Sequence, residues 1–270
     1  MPMNTAAARP TFLPPVIESI PSNVTTEKSF WRTHPSLQLS QESAEEFLRS
    51  SQIVNNLYSD RELLESLDLN PNLPGVESQK GHGMRVAILA LLLNDELERQ
   101  GSELQGDRRI LTTAALLHDI GKLRAEINEV IMRPEKILKG GTKSASDALA
   151  WTIIRRHPRI GFNTVSNMFN LEDDERGRVA WAIYCHHERQ DGKGYHKFPL
   201  EKVSNEAQII SVTDGYDVMT GNRPYQKAKS HEAAIKEERR CNRQYNQQLV
   251  DTLASIQPEN GGFFEYLTAA

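Results

Sequence analysis

The chain has 270 residues, 38% of them hydrophobic, enough for one sizeable domain or for a domain plus an extension. Its net charge of -4 and pI near 6.1 supply no basic field for a nucleic-acid polymer. The longest wholly apolar run, residues 86–93, is far shorter than the roughly 20 residues that span a bilayer. MPMNTAAARP at the N-terminus lacks the apolar core of a secretory signal, and Cys185 and Cys241 show neither pairing logic nor CxxC spacing. These features predict a reduced, cytoplasmic, soluble protein with neither a disulfide framework nor a thiolate zinc site.

Residues 1–39 carry Pro2, Pro10, Pro14, Pro15, Pro21 and Pro35 without a sustained period, which predicts an irregular arm. Phe12, Leu13, Phe30 and Trp31 are its candidate docking residues. A helical pattern begins near Ser40, with Phe47, Leu48, Ile53, Val54 and Leu57 at helix spacings. Ser59-Asp60-Arg61-Glu62 reads as a capping box in which Ser59 and Glu62 satisfy backbone N–H groups reciprocally. Asn70-Pro71 and Pro74-Gly75 then set a boundary near residue 75.

Beyond that boundary the pattern is nearly all helical. Residues 84–100 are apolar on most of their circumference, as in a buried central helix. Asp107 caps a helix over 108–117, and 145–156 is helical again. Pro158 opens a helix to about Phe169. Further helices are predicted over 176–187, 204–219, 230–240 and 246–256. No stretch reads as a strand, so the predicted fold class is all-α.

Residues 116–123 read LLHDIGKL, which places the adjacent His118 and Asp119 at the end of an apolar run. Such a pair offers a hard metal one nitrogen and two oxygens, and the carboxylate can bridge two ions. Most isolated histidines are surface or hydrogen-bonded core residues. Here His82, His118, His157 and the His186-His187 doublet fall at predicted helix termini or first turns, where helices of a bundle can converge. Ala207, Ile210, Asp214 and Asp217 share one helical stripe. A carboxylate there is costly to bury unless a cation accompanies it, either a metal or, for Asp214, Arg85 or Arg223. Nitrogen and oxygen donors without thiolate favour Mn, Fe, Mg or Zn.

In chain order, His82 with Arg85-Val86, HDIGK at 118–122, HP-x-x-G at 157–161, HHE-x-x-DGKGY at 186–195 and D-x-x-D-x-x-T-x-x-RPY at 214–225 resemble the HD-GYP family. That family is a branch of the HD-domain phosphohydrolases. The resemblance runs from about Lys80 to Ser255 and includes a closing helix near residues 244–250. It implies an HD-domain helical bundle around a two-metal centre over 76–270, preceded by a helical extension at 40–75 and the arm at 1–39.

Carried over by position, His82, His118, Asp119 and Asp214 hold one divalent ion. Asp119 bridges to a second, held by His157, His186 and His187. Members with a third metal use a glutamate four residues before the first histidine; that position is Ser78, with Glu77 one residue off, so two ions are expected. Mn or Fe is favoured over Mg or Zn. In place of GYP the chain has Gly194-Tyr195-His196, with proline only at Pro199. His196 reads as a solvated loop histidine, Asp191 as a loop-fixing residue and Asp217 as a structural partner.

The expected function is a metal-dependent phosphodiesterase that opens a cyclic dinucleotide, cyclic di-GMP, to pGpG or, after a second cut, GMP. Two adjacent cations lower the pKa of a shared water and stabilise charge on the phosphodiester oxygens. Asp119 and Lys122 are the expected catalytic residues. Lys122 contacts a phosphate or the leaving oxygen, and Arg223 grips the substrate backbone or forms a helix-terminal salt bridge. The alternatives are an HD phosphohydrolase acting on another nucleotide or phosphoester, and a non-catalytic module that senses a nucleotide or docks onto a signalling protein. N-terminal helices over 40–57 and 59–67 are expected to pack on the HD core, covering the site or forming a homodimer contact.

Overall fold

The structure is a computed structural model that describes residues 39–70, 72–132, 145–168, 171–221 and 227–256. Almost all of the irregular arm lies outside the described residues, as does Arg223. Among the described residues there is no strand, and the all-α expectation holds. No helix among them is long and apolar enough to cross a membrane.

Helix α1 spans Gln41–Ser59, and Ser40 caps it by accepting from the Ser43 amide. Helix α2, Arg61–Ser66, is capped by Asp60, which accepts from the Leu63 amide at 2.9 Å. The predicted capping box at Ser59 is therefore corrected. Ser59 is the last residue of α1, and the carboxylate one position later takes the orphan donor.

Gly75, at φ +84°, turns the chain into α3, Val76–Arg99. Val86 to Leu93 are buried around its whole circumference, because α1, α4 (Arg108–Leu117), α9 (Asn205–Thr220) and α11 (Gln247–Ser255) pack around it. Asp107 caps α4 as expected. A 3₁₀ turn, Ile120–Leu123, and α5, Ala125–Ile131, follow. Next come α6, Ala145–Ile154, and α7, His157–Ser166, with Pro158 in its first turn. Helix α8, Asp173–Cys185, packs on both α7 and α4. It starts and stops earlier than expected: Asp173, Asp174 and Glu175 fill its first turn, where carboxylates suit the helix dipole. Both histidines of the doublet consequently lie past its end. A second 3₁₀ turn, Leu200–Lys202, leads into α9, and α10, His231–Arg240, packs between α9 and α11.

The extension is tied to the bundle through Asp95 of α3. Its Oδ2 accepts from the Ser40 amide at 2.8 Å, and its Oδ1 accepts from the Ser40 and Ser43 hydroxyls at 3.0 and 2.6 Å. Arg108 adds its guanidinium at 3.2 Å. Several donors on one partly buried carboxylate make it costly to remove, since each is left unpaired. Asp95→Ala should lower stability by about 2–3 kcal/mol and make α1 sensitive to protease, while the metal content stays at the wild-type level. Denaturant unfolding, limited proteolysis and elemental analysis read the three effects.

Candidate metal centre

Three helices end at one place, and each hands over a histidine by the same local device. The Nδ1–H of His118 donates to the Ala115 carbonyl at 2.7 Å, that of His157 to Ile154 at 2.8 Å, and that of His186 to Ile183 at 2.6 Å. The accepting carbonyls belong to the last turns of α4, α6 and α8. A carbonyl can only accept, so Nδ1 carries the proton and Nε2 presents a lone pair.

Those lone pairs converge. His157 and His186 face each other through Nε2 at 3.3 Å, and His118 Nε2 is buried with no hydrogen-bond partner. Asp119 Oδ1, also buried and without a hydrogen bond, lies 3.3 Å from His157 Nε2. Asp119 Oδ2 lies 3.6 Å from His118 Nε2 and 3.7 Å from His82 Nε2. Two donor groups result: His82, His118 and Asp214, and His157, His186 and His187, each with ligand atoms within 4.8 Å of one another. Asp119 faces one group with each oxygen. A collection of buried acceptors without matching donors is the arrangement that a cation satisfies, and nitrogen and oxygen donors suit divalent ions.

Burial drives the histidines of the second group toward the neutral, ligating form. It pushes His157 and His187 well below the ordinary imidazole range and His186 down to about 4. Burial would raise Asp119 and Asp214, but the charge of Lys122, with a smaller contribution from His82, holds Asp119 well below the carboxylate range. The hydrogen bond and charge of His82 do the same for Asp214. Lys122 forms an ion pair with Asp119 Oδ2.

His82 differs from its neighbours. Its Nδ1 sits 2.6 Å from Asp217 Oδ2 and its Nε2 3.1 Å from Asp214 Oδ1. Burial lowers its pKa, but the hydrogen bonds to the two aspartates outweigh that and carry it up to about 9. Asp217 is fully buried and accepts two bonds from Arg85, at 2.7 and 3.0 Å. Arg85 thus pairs with Asp217, not Asp214, and Asp217 is the structural partner that orients His82.

Two close backbone approaches set the spacing. A Cβ on Gly83 would meet the Leu116 carbonyl oxygen at 2.7 Å, so its absence lets α3 cross α4 and brings the His82 and His118 rings to 5.1 Å. A Cβ on Gly121 would meet the His157 carbonyl oxygen at 2.2 Å, so glycine there admits the start of α7 against the 3₁₀ turn that follows Asp119. Sequence reasoning missed these roles; the available signal was a glycine directly after His82 and another two residues after Asp119.

It also missed Glu188, the third residue of HHE. Its buried carboxylate accepts from the His196 and Phe198 amides at 2.7 and 2.8 Å and so folds the loop over the doublet. Asp191 pairs with Arg189 and accepts from the Lys193 amide, a loop-fixing role as expected. Tyr195 packs its ring 4.5 Å from that of His187. His196 is not a solvated histidine: it is half-buried and stacked 3.9 Å from the Tyr184 ring. Among the described residues there is no third donor group, and the side chain of Glu77 lies outside them.

Residues 80–219, more than half of the chain, match the HD domain family. The chain belongs to the HD domain family. The resemblance to its HD-GYP branch also stands: the cyclic di-GMP phosphodiesterase response regulator RpfG of Xanthomonas campestris is 32% identical over 152 residues, covering 56% of this chain and 36% of that protein. The 3′3′-cGAMP-specific phosphodiesterase 3 of Vibrio cholerae is 31% identical over 157 residues, 57% of this chain and 30% of its own. A cyclic di-GMP phosphodiesterase of Thermotoga maritima is 29% identical over 205 residues, 73% and 50% of the two chains. This HD chain spans half or less of the length of these curated relatives. In fold it is similar to Bd1817, an HD-GYP-type protein from Bdellovibrio bacteriovorus, with a TM-score of 0.50 at 18% identity over 85% of this chain and 67% of that one.

In the metal-free protein, the raised pKa of His82 stabilises the fold fully below about pH 6.5, and the contribution is lost as pH rises through about 9. A metal needs the Nε2 lone pair and reverses that demand. Metal uptake between pH 6.5 and 9 should therefore release a proton from His82, and apparent affinity should climb with pH until about 9. Calorimetry in buffers of different ionisation enthalpy counts the proton. Asp217→Asn should weaken metal binding about 10–100-fold by loosening His82, which competition with a chelator measures.

Proposed function

We propose that the chain is a metal-dependent phosphodiesterase that hydrolyses a cyclic dinucleotide, cyclic di-GMP first among them. The observation that carries this reading is the shared carboxylate: Asp119 turns one oxygen toward each of two imidazole-rich donor groups. His82, His118, Asp119 and Asp214 would hold one divalent ion, and Asp119, His157, His186 and His187 a second, with Mn or Fe favoured. Paired cations lower the pKa of a water and neutralise charge on phosphoryl oxygens, which is the chemistry that phosphodiester hydrolysis needs.

The protein's own part is to hold and orient. The three Nδ1–H bonds to last-turn carbonyls keep the imidazoles in the ligating tautomer. Lys122, beside Asp119, would donate to a phosphate oxygen or to the departing 3′-oxygen. Hydrolysis adds water across the P–O3′ bond: the phosphorus gains an oxygen, the 3′-oxygen leaves and takes up a proton, and cyclic di-GMP becomes pGpG. Arg223 lies outside the described residues; its planar fork in the RPY motif is assigned to the substrate phosphate. Val76 begins the catalytic unit, and residues 40–75 are an extension packed against it.

The substrate class is supported by relatives named as cyclic di-GMP and 3′3′-cGAMP phosphodiesterases at nearly equal identity. Cyclic GAMP is therefore the second substrate to test. Elemental analysis of protein purified under reducing, metal-replete conditions should find about two ions per chain. With Mn or Fe, cyclic di-GMP should be turned over, and Asp119→Ala should lose both turnover and at least one ion. Two ions without turnover of either dinucleotide would defeat the substrate assignment, and absence of bound metal would defeat the centre itself.

A further inference from the structure

A cavity of about 390 Å³ opens beside the second imidazole group, with His187 in its wall. That volume lies within the roughly 300–1,000 Å³ of small-molecule sites. Its other walls include Trp151 and Arg155 from the end of α6 and Tyr195, Arg189 and Gln244 from the loop over the doublet and the segment before α11. The metal chemistry uses none of these five.

Trp151 is 45% exposed, one of few large apolar side chains on the surface among the described residues. Exposing an indole at a cavity mouth is unfavourable unless something covers it. Arg155 accepts position from the same helix, since its amide bonds the Trp151 carbonyl at 3.0 Å. Its guanidinium lies 5.3 Å from the Tyr195 ring centroid, and no carboxylate among the described residues pairs with it. The Arg189 guanidinium, by contrast, is committed to Asp191 and Gln244. One wall thus offers an exposed indole and a guanidinium with no carboxylate partner among the described residues, next to a residue assigned to metal.

We propose that this cavity seats one purine nucleotide of the substrate, with Trp151 stacking on the base and Arg155 facing the phosphate. This rests on the phosphodiesterase reading for its substrate and adds the residues that distinguish a dinucleotide from any other phosphodiester. Aromatic faces bind bases largely without regard to identity, so the seat selects purine dinucleotides as a class and leaves finer selection to polar groups. Arg155, held over the Tyr195 ring, is pre-oriented for a phosphate and loses little freedom on binding.

The test uses metal-loaded wild type, Trp151→Ala, Trp151→Phe and Arg155→Ala. Kinetics are read with cyclic di-GMP and with methyl p-nitrophenyl phosphate, a diester without a base. Equilibrium dialysis with the hydrolysis-resistant bis-phosphorothioate of cyclic di-GMP gives affinity independently of turnover. Trp151→Ala should raise KM for cyclic di-GMP and Kd for the analogue about 5- to 150-fold, with kcat little changed and the small diester unaffected. Trp151→Phe should recover most of the loss, and Arg155→Ala should weaken the dinucleotide alone. Unchanged KM and Kd in Trp151→Ala, or equal loss on both diesters, would overturn the seat while leaving the phosphodiesterase reading standing. If no protein turns over either diester, that reading fails and the seat is judged by Kd: loss in Trp151→Ala supports it, and no binding by wild type overturns it.

Discussion

The contact on which the centre depends is backbone against backbone, where Gly121 meets the first residue of α7. The position of a Cβ at Gly121 falls 2.2 Å from the His157 carbonyl oxygen and 3.0 Å from the Gly161 amide nitrogen, so even one methyl group would force the two elements apart. Asp119 sits two residues before that contact and His157 forms its other side. Their 3.3 Å separation is therefore inherited from the packing of glycine on peptide. Gly161 repeats the device toward Ile183, where a Cβ would stand 2.8 Å from Cγ2, and so brings α7 down on α8, whose end carries the doublet. Interiors packed at this density transmit small displacements, so the distance between the two donor groups is a property of the fold and not of the ligands themselves.

Bringing so many lone pairs together has an electrostatic cost, and the metal-free chain meets it with two internal cations. Lys122 sits on Asp119, and a protonated His82 lies between Asp214 and Asp217. Arg85 bonds both oxygens of Asp217 and completes its neutralisation. The second group has no such stand-in: His157 and His186 are buried, His187 is partly buried, and all three are driven toward the neutral form and turned toward one another. The two halves consequently place different demands on an incoming ion. The first exchanges a proton and a lysine contact for metal, whereas the second only gains a partner for lone pairs that lack one.

The sequence made the candidate ligands conspicuous because histidines at predicted helix termini and an aspartate on an apolar stripe have few inexpensive explanations. Helix α3 begins at Val76, however, and so holds His82 in its second turn, not at its end. The structure brings His82, His118, Asp119, His157, His186, His187 and Asp214 together. What periodicity cannot carry is contact between distant segments. Gly83, Gly121 and Gly161 look like ordinary helix or turn glycines until the opposing carbonyl or side chain is known. The helix-end errors have local causes. At α8 the apolar period starts after the acidic first turn that actually nucleates the helix, and at α2 two adjacent capping residues, Ser59 and Asp60, competed for one role. His196 was misjudged because its packing partner, Tyr184, lies on another element.

The ends of α4, α6 and α8 carry an argument beyond the ligands. A helix C-terminus has excess carbonyl groups and partial negative charge, which favours a nearby cation. In each of these helices a last-turn carbonyl is spent on an imidazole N–H, so the orphan acceptor is satisfied and the imidazole is made a better donor through its other nitrogen. The same end of α6 also carries Trp151 and Arg155, bonded to each other along the helix. Cation handling and the proposed nucleotide seat are therefore joined by one short rigid segment: the turn that aims His157 at Asp119 also fixes where the indole and guanidinium stand. A shift of α6 would move both together. Recognition and chemistry here are separable by residue, but not by element.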